Sequence, residues 1–305
     1  MSEITTSARL SAGLATHPRS RAAAVAELMK LRIVGLVLVA TAVGFLLARR
    51  SAFDLAAAWS LFHTLLGTAL IGAGGNALNQ YLEADLDALM VRTRRRPLPS
   101  GRLSSLEAMG FGLTALVVGV GYLALQVNSL SAALAAFAGV SYVAVYTPLK
   151  RMTSACVLIG AIPGALPPVI GWAGADDGLS NGAWMLFAIV YFWQLPHFAA
   201  IAWQYREDYE AAGYPMLSVV DRDGTRFGLH MMTHTAALIA ASLLPALRGV
   251  VGPAYAVGAM ILGTAFLAFC VVFLHAPTKR RARAVVLASV VYLPLLLGLM
   301  LVDKR

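Results

Sequence analysis

The sequence is poor in charge and in cysteine. Only 13% of its 305 residues are charged, whereas 59% are hydrophobic, and the mean hydropathy is +0.73. Soluble domains carry about 25% charged residues. The two cysteines, Cys156 and Cys270, lie in apolar runs and have no partner at a disulfide or metal-binding spacing. These shortages argue against a soluble domain, a disulfide scaffold and a cysteine metal site.

The N-terminal region lacks the features of a signal peptide. It is rich in Ala, Ser and Arg and contains no apolar core followed by a cleavage site. We therefore expect residues 1–28 to form a disordered cytoplasmic tail, and residues 29–305 to form a single transmembrane domain.

Apolar runs of membrane-spanning length fill the rest of the chain. At about 20 residues for each span, the candidates are 31–48, 62–84, 107–127, 130–147, 155–174, 183–205, 230–248, 253–275 and 284–302. They predict an all-α fold, a polytopic bundle of about nine transmembrane helices around a central cavity open toward the cytoplasmic side.

The positive charges predict how this bundle is oriented. Of the 24 Lys and Arg residues, 19 fall on the side of the N-terminus. The positive-inside rule then places the N-terminus in the cytoplasm and the C-terminus outside. The net charge of +9 is explained by this topology, and it does not indicate a nucleic-acid partner.

A polar stripe ends the second apolar run. Asn79, Glu83 and Asp87 are four residues apart, so on a helix they share one face, and Asn76 joins them from two turns earlier. Carboxylates at membrane depth are costly and are seldom kept without a function. We call Asn79, Glu83 and Asp87 the first cluster.

A basic segment, residues 92–102, follows the first cluster almost at once. Carboxylates beside arginines can hold a divalent cation and a polyphosphate together. Arg92 and Arg96 are the candidates for binding phosphate. Asp85 points about 200° away from Glu83 and is expected to cap the helix or to pair with an arginine.

A second group of polar residues ends the sixth run, which crosses the membrane in the same direction. We call its inner end, residues 204–210, the second cluster, and expect it to face the first across a cytoplasmic-side cavity. His197 lies in the same run and is either a packing residue or a functional one. His230 and His234 share a helix face and could bind a metal or haem, although packing is the simpler interpretation.

An allylic diphosphate matches this combination of features. Its hydrocarbon chain belongs among membrane helices, and its anionic head requires cations such as Mg²⁺, Arg and Lys. When the carbon–oxygen bond ionises, these cations stabilise the departing diphosphate, and the helix bundle keeps water from the allylic cation. No Ser/His/Asp or Cys/His constellation is present, and this chemistry needs no protein nucleophile.

The run from Asn79 to Asp87 resembles the first acidic motif of the UbiA-type intramembrane prenyltransferases, Asn-Asp-x-x-Asp-x-x-x-Asp, with Gln80 and Glu83 in place of two aspartates. Further segments are similar, in order, to the branch of this family that farnesylates haem: Arg92-Thr93, Arg96-Pro97-Leu98-Pro99-Ser100-Gly101, Tyr146-Thr147, Lys150-Arg151, Pro167-Pro168, Pro196-His197-Phe198, Asp208-Tyr209 and Pro215-Met216-Leu217.

The resemblance implies farnesyl diphosphate as donor, haem B as acceptor and Mg²⁺ as cofactor. It implies that the first cluster binds diphosphate through the metal, that Arg92, Arg96, Lys150 and Arg151 neutralise it, and that substrate contacts also come from Asn76, Tyr146, His197 and Asp208. His197 would ligate the haem iron or orient the porphyrin. The product would pass to a haem A-forming enzyme or to a haem–copper oxidase.

Three other functions remain open from the sequence. The chain could prenylate an aromatic quinone precursor, transport a lipid, or bind haem without catalysis; the last of these leaves the first cluster unexplained. The short tail favours a bacterial inner membrane over a mitochondrial one.

Overall fold

The computed structural model describes residues 20–49 and 52–305, and its regular structure is helical. The helices are α1 (Arg21–Met29), α2 (Leu31–Ala48), α3 (Leu55–Leu82), α4 (Ala84–Leu89), α5 (Ser105–Gln126), α6 (Ser129–Val140), α7 (Thr147–Leu149), α8 (Cys156–Ala165), α9 (Pro167–Asp176), α10 (Asn181–Gln204), α11 (Arg206–Ala211), α12 (Leu217–Val220), α13 (Thr225–Leu247), α14 (Pro253–His275) and α15 (Lys279–Val302). A π-helical segment, Ser141–Tyr146, joins α6 to α7.

Within the described ranges, nine helical segments are long and apolar enough to cross a membrane. They are α2, α3, α5, α6 through α7, α8 through α9, α10, α13, α14 and α15. Their outward faces are apolar, with side chains such as Val117 and Leu125 exposed by 67% and 83%. A surface of this kind suits lipid and not water. The predicted all-α multi-pass membrane protein is therefore confirmed.

The prediction of a disordered tail was wrong for its last part. Residues 1–19 lie outside the described residues, but Arg21–Met29 form α1, which Ser20 caps by accepting from the backbone N–H of Ala23. Ala24 and Leu28 are buried against Ala77 of α3 and against the start of α5. Ala24 and Leu28, four residues apart, thus form an apolar face of α1 that packs on α3 and α5. The composition of the tail did not indicate this contact.

Glycines allow two of the central helices to pack at backbone distance. A Cβ atom on Gly171 of α9 would lie 1.9 Å from the carbonyl oxygen of Thr41 in α2, and one on Gly44 would lie 1.9 Å from that of Pro168. No other residue fits at either position, which is the small-residue packing typical of membrane helices. This close crossing joins the N-terminal helices to the middle of the chain.

Helix breaks at one end of the bundle place several segments around the first cluster. α3 stops at Leu82, and Glu83 caps it before the short α4 continues. The π-helical segment and the turn that follows α7 bring Lys150 inward, and α10 gives way to α11 after Tyr205. Chain ends and turns therefore converge here, where polar side chains can face one another.

Candidate active site

The first cluster remains on one face although the helix is interrupted within it. The backbone N–H of Glu83 donates to the carbonyl of Asn79 at 3.0 Å, and that of Asp87 donates to the carbonyl of Glu83 at 2.8 Å. The i to i−4 bonding thus continues across the break. The three residues are only 3%, 2% and 0% exposed, so both carboxylates are removed from bulk water.

Each carboxylate has a basic partner from another segment. Arg96 Nη1 lies 2.6 Å from Asp87 Oδ2, and Lys150 Nζ lies 3.0 Å from Glu83 Oε1. The second oxygen of Asp87, Oδ1, is buried and has no hydrogen-bond partner. A buried charged oxygen without a partner is costly. It marks the position where a cation would be most favourable.

Lys30 also belongs to this site, and the sequence interpretation missed it. It lies between α1 and α2, and its Nζ donates to Asn79 Oδ1 at 3.1 Å. Burial, followed by the positive charges of Arg96 and Lys150, lowers the pKa of Lys30 to about 7. The available signal was a lysine directly before the first span, at the end of that span predicted to lie on the same side as the first cluster.

The site has more basic than acidic side chains. Two carboxylates, Glu83 and Asp87, face the basic groups of Lys30, Arg96 and Lys150. Burial is the largest cause of the lowered pKa of Lys30, and the neighbouring cations Arg96 and Lys150 lower it further. The arrangement suits an anion that brings its own metal ion.

The donor set fits Mg²⁺. Within residues 20–49 and 52–305, no three His, Cys, Asp or Glu side chains form a cation cluster. The oxygen donors available are the unpartnered Asp87 Oδ1, the carboxylate of Glu83 and the amide of Asn79. Mg²⁺ prefers one or two carboxylates completed by water and phosphate oxygens, and that is what these residues can offer.

Asp208 of the second cluster connects two loops. Its carboxylate oxygens accept from the backbone N–H groups of Val91 and Arg92, at 3.0 and 3.3 Å. The guanidinium carbon of Arg92 lies 4.8 Å from the ring centre of Tyr205. The basic segment is therefore fixed to α11 through its backbone and through a cation–π contact.

Two tyrosine rings, one in α11 and one just after it, also cover Lys150. Its Nζ lies 4.9 Å from the ring centre of Tyr214 and 5.7 Å from that of Tyr209. The Tyr214 hydroxyl is buried without a partner, and burial together with the charges of Glu83 and Asp87 raises its pKa. A buried neutral phenol beside Lys150 is an additional hydrogen-bond donor that the sequence did not indicate.

Three predicted substrate contacts are engaged elsewhere. Asn76 donates to the carbonyl of Met29, Tyr146 stacks on Tyr142, and Arg151 forms a two-point pair with Asp85, at 2.7 and 3.0 Å. The expected pairing of Asp85 with an arginine is confirmed. Burial acts to raise the pKa of Asp85, but the hydrogen bonds and charge of Arg151, together with backbone hydrogen bonds that include that of Leu86, outweigh it, and the pKa is lowered. Arg151 therefore contacts the outside of the helix break and not the first cluster.

The histidines occupy two separate places. His197 of α10 lies against α15, with Nδ1 2.7 Å from Ser289 Oγ. His230 and His234 of α13 lie beside each other, with ring centres 4.1 Å apart, and His234 Nδ1 donates to the carbonyl of His230. No carboxylate or cysteine joins that pair among the described residues, so packing explains it.

Residues 37–294 match the family described as "UbiA prenyltransferase family". The chain belongs to this family. It is therefore a transferase of the prenyltransferase class, and the resemblance drawn from the first acidic motif is confirmed.

The relatives span nearly the whole chain. A protoheme IX farnesyltransferase of Solibacter usitatus is 46% identical over 288 residues, covering 91% of this chain and 97% of the relative. That of Koribacter versatilis is 42% identical over 286 residues, covering 91% and 92%.

Solved structures share the fold at much lower identity. A structure described as digeranylgeranylglyceryl phosphate synthase is similar with a TM-score of 0.74 at 17% identity, covering 93% of this chain and 98% of that one. A UbiA homolog from Archaeoglobus fulgidus bound to DMAPP and Mg²⁺ has a TM-score of 0.60 at 17% identity, covering 90% and 98%. These likenesses establish the helical architecture.

Proposed function

We propose that this chain transfers the farnesyl group of farnesyl diphosphate to a vinyl group of haem B, with addition of water, to give haem O and diphosphate. The observation that carries the proposal is the buried first cluster, whose carboxylates are opposed by an excess of basic groups at the inner end of membrane helices. The names of the two relatives, protoheme IX farnesyltransferase, supply the donor and the acceptor.

Charge balance supports the diphosphate part of the proposal. Glu83 and Asp87 contribute two negative charges, and fully protonated Lys30, Arg96 and Lys150 contribute three positive ones. A prenyl diphosphate with one Mg²⁺ carries about one negative charge, which would neutralise the excess. The structure from Archaeoglobus fulgidus is described with both kinds of ligand.

The metal would be held by Asn79, Glu83 and Asp87, and when bound it would offset the charge of the diphosphate. Lys30, Arg96 and Lys150 would bind the diphosphate oxygens and stabilise the charge that grows on them as the carbon–oxygen bond breaks. The hydroxyl of Tyr214 would donate a hydrogen bond to the diphosphate. Arg92, held over Tyr205, lies at the edge of this site.

The remaining steps require that the haem vinyl group is held next to farnesyl C1 and that water is excluded from the allylic cation. The terminal carbon of the haem vinyl group forms a bond to farnesyl C1 as the bond from C1 to diphosphate breaks. Positive charge then rests on the carbon next to the porphyrin, where water adds and releases a proton, giving a hydroxyethylfarnesyl group. Buried apolar side chains of the helix bundle would keep water from the earlier allylic cation.

The topology is part of the proposal. The positive-inside bias favours a bacterial inner membrane protein with a cytoplasmic N-terminus and a periplasmic C-terminus. The product would be handed to a haem A synthase or to a haem–copper oxidase during its assembly. Asp208 and Arg151 would serve the site indirectly by fixing the segments that bear Arg92 and Glu83.

The test is a product assay with the purified full-length protein in liposomes. Haem B, farnesyl diphosphate and Mg²⁺ are supplied, and mass spectrometry looks for haem that carries farnesyl plus one water. We expect this product, its loss with EDTA, and no prenylated product when a small phenolic acid replaces haem. Prenylation of the phenolic acid without haem product would contradict the proposal and favour the quinone-precursor reaction.

A further inference from the structure

Ser289 of α15 is a buried polar residue whose contacts all lead to His197 or to its surroundings. Ser289 is 0% exposed. Its Oγ lies 2.7 Å from His197 Nδ1 and 2.6 Å from the carbonyl oxygen of Val286, and its own carbonyl accepts from Trp193 Nε1 at 2.7 Å. A single residue of α15 thus contacts two aromatic side chains of α10.

These contacts determine which nitrogen of His197 carries the proton. The carbonyl of Val286 can only accept, so at 2.6 Å the single hydroxyl proton of Ser289 lies between the two oxygens. Ser289 Oγ then accepts from His197, which favours the form of the ring with its proton on Nδ1. Nε2 is left with a free electron pair.

The ring of His197 is also held in orientation. Trp193 stacks on it with ring centres 5.0 Å apart and an interplanar angle of 17°, and Phe198 meets it edge-on at 5.4 Å. Ser289 occupies the Nδ1 side. Within the described part of the chain, Nε2 has no hydrogen-bond partner and is the one polar atom of this ring left for a ligand.

The position of His197 along α10 relates it to the candidate active site. Gln204 is seven residues later, so it lies on nearly the same face and about 10 Å closer to the inner end. Four residues further, Asp208 binds the backbone of Val91 and Arg92 beside the first cluster. A flat ligand held at His197 could therefore extend its edge toward the first cluster.

We infer that Ser289 is a positioning residue that keeps His197 in the Nδ1–H form, so that Nε2 coordinates the iron of the substrate haem. Histidines that bind metals commonly donate their other N–H to an oxygen that fixes tautomer and orientation. The vinyl groups lie at the porphyrin edge, so ligation of the iron leaves them free to react. The inference rests on the proposed function, since it assigns the residue that holds its acceptor substrate.

The experiment titrates ferric haem B into the full-length protein in detergent, without farnesyl diphosphate. Soret absorption and electron paramagnetic resonance report imidazole ligation, and the titration gives Kd. The variants are Ser289→Ala, His197→Ala and the double variant. The matched control is Ser242→Ala, because Ser242 is equally buried and bonds to Tyr292 of the same helix α15, away from His197.

We expect Ser289→Ala to raise the haem Kd by about 10-fold or more and to weaken the imidazole signature. His197→Ala should abolish that signature, and adding Ser289→Ala to it should cause no further loss, because Ser289 acts through His197. Ser242→Ala should match the wild type.

Two outcomes would overturn the inference. One is a wild-type spectrum and haem Kd in Ser289→Ala. The other is that Ser289→Ala raises the haem Kd by the same factor in the His197→Ala background as in the wild type. Both readouts are independent of farnesyl transfer. Failure of the product assay alone would therefore count against the proposed function and would be seen separately from failure of haem ligation.

Discussion

The C-terminal ends of α3 and α10 both lead into a short helix with an acidic first turn, but the acidic residues in these two regions have different partners. In both regions acidic residues follow a membrane-spanning helix, and a longer connecting segment comes after them. In the first cluster both carboxylates are buried and paired with basic side chains from other segments. In the second cluster Asp208 binds backbone N–H groups, and Glu207 pairs at the surface with Lys279, where the two side chains are 74% and 55% exposed.

The difference shows that burial and the type of partner distinguish a reactive site from a structural connection. A buried carboxylate facing an arginine, with one oxygen unsatisfied, is available to a ligand. A carboxylate satisfied by two backbone groups fixes a loop and has less capacity left for a metal. Four substitutions test this contrast, beginning with the one expected to have the largest effect.

Asp87→Asn should have the largest effect on activity. It removes the charge of the buried Oδ1 and leaves Arg96 without its carboxylate partner, so we expect kcat to fall by about 10²-fold or more. The measurement is the rate of prenylated haem formation over a range of Mg²⁺ concentrations. Asp85→Asn is the matched control, since Asp85 pairs with Arg151 outside the first cluster, and an equal loss there would refute the distinction.

Lys30→Met should act on substrate binding. The loss of a buried amino group next to Asn79 removes one contact to diphosphate. We therefore expect KM for farnesyl diphosphate to rise by about 10-fold or more. The control is Lys304→Met, because that lysine donates to the carbonyl of Leu46 at the other end of the molecule. An unchanged KM in Lys30→Met would remove Lys30 from the site.

Asp208→Ala should lower stability more than it changes the chemistry. It frees the backbone N–H groups of Val91 and Arg92, at a cost of about 1.5–3 kcal/mol for hydrogen bonds to a charged group. Thermal unfolding in detergent measures this loss, and Asp208→Asn, which keeps an acceptor oxygen, should recover part of it. A changed Mg²⁺ requirement in Asp208→Ala would instead place this residue among the metal ligands.

Glu207→Gln should have the smallest effect. Its ion pair with Lys279 is exposed to water, and pairs of this kind contribute about 0–1 kcal/mol. We expect activity and unfolding temperature to match those of the wild type in parallel assays. A clear loss of activity would mean that the surface acids of the second cluster take part in catalysis.

The inner-end residues show how far sequence reasoning extends. The i, i+4 spacing of Asn79, Glu83 and Asp87 predicted a shared face, and the structure keeps them on one even though the helix breaks at Glu83. Spacing could not show that Arg151 turns toward Asp85 while its neighbour Lys150 turns toward Glu83. That choice depends on the π-helical segment and the turn after α7, which have no strong signature in the sequence.

The amino-acid sequence by itself determined the membrane class, the span count and the segment that carries the acidic motif, because hydropathy, charge bias and helical periodicity are local properties of the chain. Only the tertiary structure decided which cations meet the carboxylates, that Lys30 joins them and that Ser289 contacts His197. Arg96 and Asp87 are nine positions apart, but the other contacts join residues more than 45 positions apart. Packing between distant helices selects those contacts from many that local sequence would allow.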